Sequence, residues 1–134
     1  MDVEKDHLDV LQNIEFAIVS VHQQQPALVD FDVDGALNAL IAYYQARAVG
    51  REARPVRLNE RAQQVYEMME TMCEWRMGND ALVSKDMRKR GPQLAPVSVD
   101  VIIACLKRIR KSVDKWNKQG GRQGYLTFVE QFVR

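Results

Sequence analysis

The sequence predicts an all-α protein, an irregular bundle of four main helices with one or two short ones, with residues 1–134 as a single helical domain. Three observations predict it. Apolar residues recur at spacings of three and four in four separate segments, the period of a helix that buries one face. Each segment is bounded by a capping residue, a glycine or a proline. The 134 residues, 46% hydrophobic and 28% charged, are enough to bury a core without disulfides or metals.

The first helix is expected over residues 4–24. Leu11, Ile14, Ala17, Ile18 and Val21 form its stripe, and Phe16 and Val19 fall outside it. A helix that is apolar round most of its circumference belongs at the centre of a bundle. Pro26 follows and ends it. The second helix is expected over 33–48, with Asp30 or Asp32 as its N-cap and Gly50 as its stop. Its buried face is Ala36, Leu37, Leu40, Ile41 and Tyr44. Residues 50–58 read as a polar linker, stiffened by Pro55.

Asn59 caps the third helix, which runs to 77 and stops at Gly78. Ala62, Val65, Tyr66, Met69, Cys73 and Arg76 share one face, and Glu67, Glu70 and Glu74 lie together on another. Residues 79–97 are expected to hold a short helix at 80–87 and then irregular backbone around Gly91, Pro92 and Pro96. The fourth helix is expected over 99–118, capped by Ser98 and stopped by Gly120 and Gly121. Its apolar stripe is Ile102, Leu106, Ile109, Val113 and Trp116. Arg108, Lys111, Lys115 and Lys118 point the other way on a helical wheel. A last short helix is expected over 125–133, where Leu126, Val129 and Phe132 would dock, although the aromatic and β-branched run there also suits a strand.

Charge is segregated along the chain. Residues 1–46 hold eight acids and one base, a balance of −7, and residues 85–122 hold eleven bases and three acids, a balance of +8, within a total of +1. Such asymmetry points to an electrostatic partner, a second copy of the chain included. The apolar runs fall short of the roughly 20 residues that a membrane span needs. The acidic N-terminus has no signal-peptide pattern, and Cys73 and Cys105 read as reduced core thiols, so a cytoplasmic protein is expected.

Three motifs bear on chemistry. Asp30, Phe31, Asp32, Val33, Asp34 and Gly35 resemble the start of an EF-hand calcium loop. The twelfth position, which the resemblance requires to be a bidentate Glu, is Ile41, and Ile41 is needed for packing. The bland reading, that the aspartates cap the second helix and favour its dipole, is preferred. The second motif is a basic surface made of Arg88, Lys89, Arg90, Arg108, Lys111, Lys115, Lys118 and Arg122, the candidate contacts for an anion or a nucleic-acid backbone. The third, residues 120–124 (Gly-Gly-Arg-Gln-Gly), reads as a tight turn, because no P-loop or dinucleotide pattern accompanies it.

Catalytic machinery does not assemble from these residues. His7 and His22 lie about four turns apart on one helix. The two cysteines sit on buried stripes, where thiols are inert, and the carboxylates of residues 1–34 read as exposed charge and caps. The expectation is therefore a non-enzymatic helical interaction or assembly module that forms a homodimer, with no cofactor and no metal site. The alternative is a nucleic-acid-binding protein that uses the basic face of residues 99–118 and the loop 85–90.

Overall fold

The fold is an all-α bundle. A computed structural model of the chain describes residues 3–25, 28, 30–52, 57–79 and 96–113. Three helices, α1 (Val3–Gln24), α2 (Asp30–Ala48) and α3 (Glu60–Arg76), are followed by a fourth, α4, over residues 99–113. No strand occurs among the described residues. The expectations for 80–87, 114–118, 120–124 and 125–133 lie outside them.

The ends of α2 and α3 follow from local chemistry. Asn59 sits in extended backbone and its side chain accepts a hydrogen bond from the Ala62 amide at 2.8 Å, which caps α3 as expected. Both helices close in the same way. Gly50 and Gly78 take φ of 72° and 89°, a left-handed backbone that only glycine adopts without strain. Arg51 N–H then reaches back to Ala46 C=O at 2.8 Å, and Asn79 N–H to Glu74 C=O at 2.9 Å, with shorter loops from Gly50 to Arg47 and Gly78 to Trp75. This is the Schellman arrangement, which satisfies carbonyls that the last turn leaves over. At Gly78 space is also tight: a Cβ there would lie 3.2 Å from Pro96. The Val97 amide donates to the Arg76 carbonyl at 2.9 Å, so the start of α4 is fixed to the end of α3.

α2 begins at Asp30, not at 33, so the three aspartates stand inside its first turns and not before it. The cause is the positive end of the helix, which favours carboxylates there, together with the partners that α3 gives Asp32.

α3 packs against both α1 and α2, while α1 and α2 touch each other little. α4 reaches the same two helices. Its Arg110 donates to Asn38 of α2 at 3.2 Å, and its Arg108 faces Glu15 of α1. It meets α3 as well: Cys105 of α4 lies near enough to act on the Cys73 thiol and to feel the Arg76 guanidinium. Ile14, Leu37, Leu40, Tyr44, Val65, Met69, Ile102 and Leu106 fill the centre, each fully buried. Removing such a side chain to Ala costs about 2–5 kcal/mol in a core of this kind.

α1 is not the sole central helix, contrary to the expectation from its apolar circumference. α3 bridges α1 and α2, and α1 keeps a solvent strip at Gln12, Phe16, Gln23 and Gln24. Val19 is covered and only 4% exposed, whereas Phe16 is 57% exposed.

Candidate functional site

α4 turns Lys107, Arg108 and Lys111 to solvent, all three exposed. This is the described part of the basic surface read from the sequence. Arg88, Lys89, Arg90, Lys115, Lys118 and Arg122 lie outside the described residues. Lys107 is an addition: it stands four residues before Lys111 on the same face, a spacing visible in the sequence. Arg110 leaves that face for Asn38, and Arg108 lies at its edge beside Glu15. Burial raises the Glu15 carboxyl above its ordinary value, and the Arg108 guanidinium pulls it back in part. One acid, Asp100, is exposed on α4 a few turns earlier.

Asp32 is 1% exposed, which corrects the expectation of an exposed or merely capping carboxylate. Its Oδ1 accepts from Asn59 Nδ2 at 2.8 Å and its Oδ2 from Arg61 Nε at 3.1 Å. The first turn of α2 is in this way tied to the cap of α3. A helical turn engaged like this is not the open loop that wraps a calcium ion, and among the described residues no group of three or more His, Cys, Asp or Glu side chains converges as a metal site. Beside it lies a shallow polar pocket of about 170 Å³ lined by Gln25, Asn59, Glu60 and Arg61.

The other end of the α2–α3 seam holds a second buried acid that the sequence pattern did not separate from its neighbours. Glu74 is 4% exposed, not part of a solvated acidic face, and Arg47 of α2 donates to its Oε1. Arg47 also lies 5.9 Å above the Tyr44 ring, and Tyr43 and Tyr44 meet edge to face at 5.1 Å. Glu74 Oε2 and the Tyr44 hydroxyl, both buried, have no hydrogen-bond partner. Burial pushes the Tyr44 phenol far up, and the nearby Cys73, Glu74 and Glu70 reinforce this. Tyr66 is pushed up to about 12, first by burial and then by Glu70. The Glu70 carboxyl is raised by burial and by Glu74, and its hydrogen bond with Tyr66 opposes this.

Burial raises both thiols, Cys73 most of all, which keeps them protonated and unreactive. Arg76, placed on the apolar face by the sequence, is 5% exposed and donates to Asn13 of α1 at 2.7 Å. No family model, curated protein or solved structure matches the chain. No helix among the described residues is long and apolar enough to cross a membrane.

Proposed function

We propose that the chain is a non-enzymatic helical assembly module that associates with a second copy of itself in the cytoplasm, the homodimer being its first assembled form. The observation that carries this reading is the open basic strip Lys107, Arg108 and Lys111 on a chain whose first 46 residues are strongly acidic. Among the acids of that segment, Asp32 is engaged by Asn59 and Arg61. Complementary charge of this kind sets orientation and encounter rate more than affinity. Sedimentation velocity of the full chain at low and at high salt tests the reading. Association at low salt that weakens as salt rises supports it, and a monomer at every concentration and salt removes it.

The same open strip favours a second reading, contact with a nucleic-acid backbone through Lys107, Arg108 and Lys111. Fluorescence anisotropy with labelled single- and double-stranded oligonucleotides decides it. Binding that falls steeply with salt and is lost in Arg108→Glu/Lys111→Glu supports this reading, and no binding at low salt removes it.

A further inference from the structure

At the Glu74 end of the α2–α3 seam one acceptor is left over. Arg47 donates to Glu74 Oε1, and the buried Oε2 of the same carboxylate has no hydrogen-bond partner among the described residues. The Tyr44 hydroxyl, buried in the same seam, makes no hydrogen bond to it. A buried acceptor without a donor costs the fold its full desolvation. Glu70 stands four residues before Glu74, the spacing that sets two side chains next to each other on a helix. Ionised, Glu70 has nothing to donate and repels its neighbour. Protonated, it carries an O–H donor. Tyr66 hydrogen-bonds the Glu70 carboxyl, which still leaves an oxygen for that proton.

We infer that Glu70 and Glu74 form a proton-binding site, in which Glu70 takes a proton from solvent and donates it to Glu74 Oε2. No bond other than this O–H is made or broken. Two carboxylates facing one guanidinium become one facing one, and Glu74 is held by a donor on each oxygen while Arg47 ties it to α2. Glu74, Tyr66 and Glu67 of α3 and Arg47 of α2 act on Glu70, and Glu70 acts in turn on Tyr44 of α2 and Cys73 of α3. Burial raises Tyr44, Tyr66 and Cys73, so all three stay protonated at acidic and neutral pH, and Glu67 is exposed. Burial and the charge of Glu74 both favour the protonated form of Glu70. The site therefore fills as pH falls through a value above the ordinary one for Glu, and its bracing of the seam is lost as pH rises through that value. None of these groups belongs to the basic strip of α4, so the site holds for a monomer as for a dimer.

Carbon-13 NMR of the side-chain carboxyls and amide hydrogen exchange, both on the full chain between acidic and neutral pH, test the site. In the native chain the Glu74 carboxyl carbon is expected to step at the midpoint of Glu70. Exchange in the last turns of α2 and α3, corrected for its intrinsic pH dependence, is expected to quicken about fivefold through the same midpoint, the worth of one hydrogen bond. Glu70→Gln keeps an N–H donor at every pH and is expected to hold the slow exchange of the acidic native chain throughout. Glu70→Ala has no donor and is expected to exchange fast throughout. A Glu74 carbon that stays still while Glu70 titrates overturns the site, and the native chain alone decides this if a variant does not fold. Glu70→Gln that quickens with pH as the native chain does, or that exchanges as fast as Glu70→Ala, overturns it too.

Discussion

The two ends of the α2–α3 seam use the same parts and finish differently. At one end Asp32, at the other Glu74, is a carboxylate with at most 5% of its side chain exposed, and each meets an arginine that is nearly half exposed, Arg61 at 46% and Arg47 at 44%. Asp32 has a named partner on each oxygen and belongs to a cap that organises α3. Glu74 has a partner on Oε1 alone, and the Tyr44 hydroxyl in the same seam has none. Burying a charge is tolerable when every lone pair is answered and costly when it is not. The first end is therefore built for stability, and the second stores a deficit that substitutions can relieve.

The largest expected effect tests that contrast directly. Asp32→Ala strands Asn59 and Arg61 and loosens the cap, and is expected to cost about 2–3 kcal/mol in urea unfolding, against about 1 kcal/mol for Glu74→Ala. Equal costs, or the reverse order, break the comparison. Next, Arg47→Met leaves Glu74 buried without its cation and is expected to cost about 2 kcal/mol, while Arg47→Met/Glu74→Met recovers most of that loss. A double variant no more stable than the single one would mean that the pair is worth more than its desolvation costs. Tyr44→Phe deletes the unanswered hydroxyl, and thermal unfolding is expected to shift by less than the equivalent of about 0.5 kcal/mol, or to rise.

The smallest effect is a pH dependence. Glu70 has a folded-state pKa raised above its unfolded value by burial and by Glu74. A raised carboxyl favours folding below its unfolded pKa, and that contribution is lost as pH rises through the folded value. Glu70→Gln removes this titration, so the variant is expected to gain stability relative to the native chain between acidic and neutral pH. The check is urea unfolding of both proteins at two pH values. A gap that does not widen towards neutral pH contradicts the environment described for Glu70.

The helices were legible because their punctuation is local. Asn59, Gly50 and Gly78 act within a few residues of themselves, so their roles can be read without knowing the fold. The apolar stripes were legible for the same reason, since period alone assigns Leu37, Leu40, Tyr44, Met69 and Ile102 to the core. The polar seam was not. Whether Asp32 caps its own helix or braces the next depends on Asn59 and Arg61, 27 and 29 residues away. Glu67, Glu70 and Glu74 look alike in sequence, and only the position of α2 makes one exposed and another buried. Period leaves Phe16 and Val19 alike outside the stripe, and of the two only Phe16 is exposed, because period counts apolar residues without knowing how many neighbours a helix has. Of the candidate basic surface, Arg108 and Lys111 stand exposed where the wheel put them.

Cys73 on α3 and Cys105 on α4, both buried, give the protein a clock of its own. Neither thiol can meet a reagent from solvent while the bundle is shut, so modification proceeds only as fast as the helices part. Alkylation followed by mass spectrometry would therefore time the parting of α3 from α4 with no engineered probe. Simultaneous labelling of both positions means that the bundle opens as one unit. Labelling of Cys105 ahead of Cys73 means that α4 lifts off a pre-standing group of three helices.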